Sequence, residues 1–130
     1  MSHFVKIRTE IREKAQLVEA LRDLHYQFQE GENLLVRGYQ GNQERAEIVV
    51  NAGENYDIGF QRQAGAYAVV ADWEGVERGS PIRKESFIQQ VNRQYAYNLI
   101  HVQAREQCLI VEEERTLENG DTVIILSERG

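Results

Sequence analysis

Cysteine is almost missing from this chain of 130 residues: Cys108 is the only one. A lone thiol closes no intrachain disulfide and cannot supply the paired thiolates of a zinc site within one chain. Proline is scarcer than average too. The single Pro81, beside ten glycines, excludes a collagen-like or low-complexity chain. Histidine occurs at positions 3, 25 and 101, with none of the close spacing a metal site requires. No apolar run approaches the roughly 18 residues of a membrane span. The opening MSHFVKIRTE has no apolar core of a secretory signal. Together these absences make the cytoplasm the expected location, with no membrane association.

Positive charge is also short. Fifteen Lys and Arg stand against 21 Asp and Glu, a net charge of −6. Nucleic-acid affinity rests largely on neutralising phosphates, so this balance argues against such a ligand. A basic protein surface is the partner it would steer toward. Catalytic signatures are absent as well. The chain has no G-x-S-x-G elbow, no P-loop and no G-x-G-x-x-G. Cys108 sits near Glu106 and Glu112 to Glu114, a setting that disfavours a reactive thiolate. No catalytic residue, cofactor or metal is implied, and the reading leans away from an enzyme.

The apolar fraction of 42% suits one core, hence one domain over residues 1–130. In FVKIRTEI the apolar side chains alternate with charged ones, the period of a half-buried strand. Leu17, Val18, Leu21 and Leu24 then recur at helical spacing and predict an amphipathic helix from about Glu13 to His25. Glu30-Gly31-Glu32-Asn33 reads as a loop. Two hairpins follow. One turns at Gly41-Asn42 and the other at Ala64-Gly65. EGVERGSPIRKE reads as a polar connector, with Ser80 and Pro81 as the cap and first residue of the next helix. Phe87, Ile88, Val91, Tyr95, Leu99 and Val102 predict a second helix of about 20 residues. Two strands close the chain around Asn119-Gly120. The expected fold is α+β: a largely antiparallel curved sheet of about seven strands with two helices, in the order β-α-β-β-β-β-α-β-β.

Four aromatics punctuate YDIGFQRQAGAYAVVADW. Tyr56 and Phe60 share one strand face with Ile58, and Tyr67 and Trp73 share one with Val69 and Ala71. If the register brings those faces together, the rings form the inner wall of the sheet. Only the Trp73 end is expected to open into a pocket, which Arg37, Tyr39 and Asp57 could line. Asp57 and Asp72 alternate with the rings. They read either as an acid–base pair or, more plainly, as acids on a solvated face. An inward Arg37 needs an acid such as Glu47 or Asp57, or an anionic ligand. On the second helix, Tyr95 continues the core stripe and its hydroxyl needs a partner. Tyr97 then faces sideways with Arg93, Ile100 and His101. Two readings stand for that group: an interface centre, or a lateral contact with the first helix. Cys108 is expected to begin a strand as a small buried residue. Glu112 to Glu114 is expected to mark a charged, exposed edge.

MSHF, VRGYQG, YDIGF, QYAY and VEEERTLENGDTVIILSER occur here in this order. In these motifs the chain resembles the family called hypothetical chloroplast reading frame thirty-five, found in cyanobacteria, algal plastids and other bacteria. The resemblance implies a domain of unknown function, small and soluble, encoded in some genomes near an AAA-type ATPase or a ferredoxin-like protein. It carries over no catalytic residue. The function it favours is a non-enzymatic interaction or adaptor protein, with an AAA-type ATPase as partner and a homo-oligomer as a further possibility. The alternative is a small-molecule-binding or enzymatic domain using a pocket near Trp73, Arg37 and Asp57.

Overall fold

The computed structural model describes residues 3–39 and 43–128. In chain order the elements are β1 (Val5–Arg8), α1 (Lys14–Asp23), β2 (Phe28–Arg37), β3 (Gln43–Asn51), β4 (Asp57–Gln63), β5 (Ala66–Ala71), α2 (Trp73–Gly79), α3 (Lys84–Glu106), β6 (Leu109–Thr116) and β7 (Thr122–Glu128). The α+β class and the antiparallel pairing agree with the sequence reading. Two details differ. The described residues form three helices, and their seven strands divide into a five-stranded sheet ordered β1-β5-β4-β3-β2 and a separate β6–β7 ribbon.

The register settles the aromatic question. Ile58 lies opposite Ala71 and Phe60 opposite Val69, so the apolar residues of β4 and β5 share one face. Phe60 and Tyr67 are buried there beside Ile48 and Val50, under α1 and α3. The β4–β5 turn forms at Ala64 and Gly65, with φ of 53° and 85°. Positive φ at both central residues is what a two-residue hairpin requires. The Gly41-Asn42 turn lies outside the described residues.

Helix α1 has no capping side chain at Glu13. Instead the Tyr95 hydroxyl accepts from the backbone N–H of Arg12 at 3.1 Å and of Glu13 at 3.0 Å. One hydroxyl therefore satisfies two donors just ahead of the helix start and ties α3 to α1. At the other end His25 takes φ 65°. The N–H groups of His25 and Tyr26 bond back to Arg22 and Leu21, the paired closure of a left-handed helix cap. That closure ends the helix two residues earlier than the periodicity suggests.

Glu30 to Asn33 is not a loop. The segment stays within β2, and the register against β3 shifts between Glu30 and Leu34. A glycine inside a strand commonly marks such a bulge, and Leu34 packs 3.0 Å from where a Cβ on Gly31 would lie.

The predicted polar connector contains α2. Asp72 is wholly buried and its Oδ1 accepts from Gly75 N–H at 3.3 Å, capping the helix. Trp73 is therefore the first residue of a helix and not the last of a strand. Seven residues with two glycines are too few for a helical period to show. Ser80 ends this helix instead of starting the next. Its hydroxyl donates to Val76 O at 2.7 Å and accepts from Ile82 N–H. Helix α3 begins at Lys84, whose N–H donates to Glu77 Oε2 at 2.9 Å. It buries Phe87, Val91, Tyr95 and Asn98. Asn98 and Gln94 both donate to Asp23 Oδ2, a polar clasp between α3 and α1.

The outer face of the sheet is not the solvated surface expected from alternation. Val36, Ala46, Val49 and Val70 form a second buried cluster there, covered in part by Phe4 and Leu34. Gly38 permits a close approach, as its sequence context suggests, and the neighbour is Phe4: a Cβ at Gly38 would lie 2.6 Å from that ring.

Candidate functional site

The first group of candidates gathers where β2 and β4 meet on the outer face. The Arg37 guanidinium is bidentate on Asp57, with Nε to Oδ2 at 2.9 Å and Nη2 to Oδ1 at 3.0 Å. Arg37 backbone N–H also donates to Asp57 Oδ2 at 2.9 Å. The remaining guanidinium bonds reach the carbonyls of Glu54 and Gly53. The hydrogen bond to Asp57 holds the guanidinium above its ordinary range, against an opposing effect of burial. Asp57 is thus buried and paired, not solvated, and the structural pairing of Arg37 read from the sequence is what the chain uses. A groove of about 420 Å³ lies beside the pair, lined also by Gln27, Phe28, Leu35 and Asn51.

Trp73 does not join that groove. Its ring packs in the core, 6.0 Å from Phe87 centroid to centroid, and its buried Nε1 has no hydrogen-bond partner among the described residues. Tyr39 enters through its backbone: its N–H donates to Asp72 Oδ2 at 3.0 Å. Both carboxylates of the proposed acid–base pair are committed to structural bonds. Asp57 ties two strands together, and Asp72 ties the end of β2 to the start of α2.

The second group lies on α3, and the β6–β7 ribbon folds back against it. The Tyr97 hydroxyl donates to Glu114 Oε2 at 2.8 Å. His101 Nε2 lies 2.7 Å from Glu114 Oε1, a contact that becomes an ion pair when the imidazole is protonated. The two rings are 4.4 Å apart. Arg93 donates to Asn119 O at 2.9 Å and approaches Asp121 at 3.4 Å, so it holds the ribbon tip. Tyr97, His101 and Arg93 therefore meet the ribbon, where the sequence offered a free interface or the first helix. Glu114 is the residue that sequence reasoning missed in this role. The run Glu112 to Glu114 does not show which member turns inward: the register shifts between Val111 and Glu113, and beyond it Glu114 accepts from Tyr97 on α3.

Tyr97 gives a testable pH signature. Its hydrogen bond to Glu114 raises the phenol above the ordinary value of 10.0, helped by desolvation and then by the carboxylate charge. A raised value means that the folded chain holds the proton more tightly than the unfolded one. The contribution is full below about pH 10 and is lost as pH rises through the folded value. Ultraviolet titration should show late-ionising tyrosine, and Tyr97→Phe should remove part of that component. Tyr26, raised by burial, should stay in that component. An unchanged titration in the variant would contradict the Glu114 bond.

Cys108 is exposed, not buried, and sits at φ 57° in the turn between α3 and β6. Among the described residues no cluster of three or more His, Cys, Asp or Glu could hold a metal ion. Nor is any helix among them long and apolar enough to cross a membrane.

Residues 20–125 match the family described as protein of unknown function (DUF1257). The chain belongs to that family. It is similar to the uncharacterized protein ycf35 of Guillardia theta, 34% identical over 120 residues, which cover 92% of this chain and 91% of the relative. The uncharacterized protein ycf35 of Cyanophora paradoxa is 33% identical over 100 residues, covering 77% of this chain and 76% of that protein. The protein of the same description from Pyropia yezoensis is 29% identical over 126 residues, with 97% and 96% covered. No solved structure matches significantly.

In this member of the family, large apolar side chains reach solvent unevenly. Of the seven such residues among those described, Ile100 lies on α3, and Ile110, Leu117, Ile125 and Leu126 lie on the ribbon or its turn. Val5 and Leu35 are the other two, on the two edge strands of the main sheet. Apolar surface concentrated on one small element marks an interaction site more often than scattered residues do.

Proposed function

We propose that this family member is a protein-interaction module of the cytosol with no catalytic centre of its own, docking through α3 and the β6–β7 ribbon. The supporting observation is the concentration of exposed Ile100, Ile110, Ile125 and Leu126 on those two elements. An isolated two-stranded ribbon is marginal in water, so one that exposes isoleucines gains from a cover. The net charge of −6 favours a basic partner surface. The family resemblance points to an AAA-type ATPase as that partner. The test uses a purified AAA-type ATPase from the same organism, with affinity followed by interferometry. Ile100→Asp with Ile110→Asp should weaken binding at least tenfold, the scale of losing interface anchors. Binding that is absent, or indifferent to the double substitution, overturns the reading.

A second reading has one observation in its favour. The groove beside Arg37 and Asp57 falls within the roughly 300–1,000 Å³ of small-molecule sites. A metabolite that raises the unfolding midpoint by several degrees, with the rise lost in Leu35→Glu, would support it.

A further inference from the structure

Four strands among the described residues have an edge without a neighbour: β1 and β2 in the main sheet, and both strands of the ribbon. Three of them carry the devices that stop edge-to-edge pairing. β1 is four residues long and includes Lys6 and Arg8. β2 contains Glu30 and Glu32, and its register shifts between Glu30 and Leu34. β6 has Glu112, Glu113, Glu114 and Arg115, again with a shift in register. β7 carries a single charge, Glu128, at its last position. From Thr122 to Ser127 it reads TVIILS, without charge, proline or glycine.

Ile125 is the middle one of the seven residues of β7, so two copies paired antiparallel about it overlap along the whole strand. An antiparallel pair of two β7 strands centred there sets Ile125 against Ile125, Ile124 against Leu126 and Val123 against Ser127. The charge distribution selects the same arrangement. Pairing through β6 would bring Glu112 to Glu114 of two copies within about 5 Å of each other. Pairing through β7 leaves the two β6 strands as outer edges, three strand spacings or about 14 Å apart, beyond the roughly 8 Å screening length of physiological salt.

We propose that β7 pairs with β7 of a second copy about a two-fold axis at Ile125, converting two ribbons into one four-stranded antiparallel sheet. The inference rests on reading the ribbon as an interaction element, and it names a second copy of this chain as the occupant of that edge. It leaves the Ile100 and Ile110 positions outside the new strand pair.

Cysteine cross-linking in a Cys108→Ser background tests the register. Opposed Cα atoms in an antiparallel pair lie about 4.5–5.5 Å apart, within the roughly 4.4–6.8 Å span of a disulfide. Adding Ile125→Cys should therefore give a covalent dimer of twice 15.0 kDa on mild oxidation. Val123→Cys puts its two thiols on residues offset by four positions, about 14 Å apart, and should cross-link at least tenfold more slowly. Ile125→Lys, which sets two ammonium groups face to face, should give monomers by light scattering with an unchanged far-ultraviolet spectrum. Equal cross-linking at positions 123 and 125, or a monomer mass for the unsubstituted chain at every concentration, overturns the proposal. A cross-link from the Ile125→Cys variant to the ATPase, in place of a second copy, overturns it as well. A monomeric chain that still binds the ATPase through Ile100 and Ile110 overturns the dimer alone, so the two readings fail separately.

Discussion

Replacing Phe87 by alanine is expected to remove about 3–5 kcal/mol of folding free energy, the range for truncating a buried aromatic. Phe87 is 1% exposed and is where three separate segments meet α3. Its ring is 5.1 Å from that of Tyr26 beyond α1, 6.2 Å from Phe60 on β4 and 6.0 Å from Trp73 at the start of α2. None of the three neighbours can follow the lost ring inward. β4 is held by ladders to β3 and β5, Trp73 by the Asp72 cap, and Tyr26 by the closure of α1. The site therefore keeps its cavity, and the upper half of the range is expected. Natural domains hold only about 5–15 kcal/mol in total, so the variant should unfold well below the midpoint of the parent in urea. Phe87→Leu retains most of the volume and should lose less than about 2 kcal/mol. A loss below about 1.5 kcal/mol for the alanine variant would mean that the helix layer rests on other contacts.

Features that run over several residues were legible in the sequence. The alternation of Ile58 and Phe60 with Asp57 gave a strand, and the recurrence of Phe87, Val91 and Tyr95 gave a helix. Ala64-Gly65 and Asn119-Gly120 gave their turns through backbone conformation, and Gly120 has φ 90°. Features decided by one distant partner were not legible. Asp72 looks like a surface acid until Tyr39 and Gly75 are placed beside it. Ser80-Pro81 has the chemistry of a helix start, yet the Ser80 hydroxyl closes α2 on the Val76 carbonyl, its oxygen accepts from Ile82, and α3 begins only at Lys84. A bulge and a loop share the composition Glu-Gly-Glu-Asn, and only pairing with β3 separates them. The surface divided in the same way. Chemistry alone asked for an acid such as Glu47 or Asp57, or an anionic ligand, beside Arg37, and the fold supplies Asp57. Tyr97 and His101 were correctly placed off the core stripe. Their cover was missed because a three-glutamate run does not reveal which of its members turns inward.

The Arg37–Asp57 pair should respond unequally to losing either member. The Asp57 side chain is 7% exposed and that of Arg37 41%. Arg37→Ala strands a buried carboxylate with one backbone N–H for company, and a loss of about 3–5 kcal/mol is expected, as for buried pairs broken on one side. Asp57→Ala strands a guanidinium that still reaches water and the carbonyls of Gly53 and Glu54. The main cost is then the unpaired Arg37 N–H and the vacated volume, about 1–3 kcal/mol. Arg37→Met combined with Asp57→Leu removes both charges while filling the space. It should fall closer to the parent than Arg37→Ala does, because no ion is left stranded. Urea unfolding of the four proteins measures this order directly. It also bears on function. If Asp57→Ala proved the costlier single change, the guanidinium would be held by the carboxylate against its own desolvation. If Arg37→Ala proved nearly free, the carboxylate would have an unassigned counter-ion, and the groove would become the first place to look for a ligand.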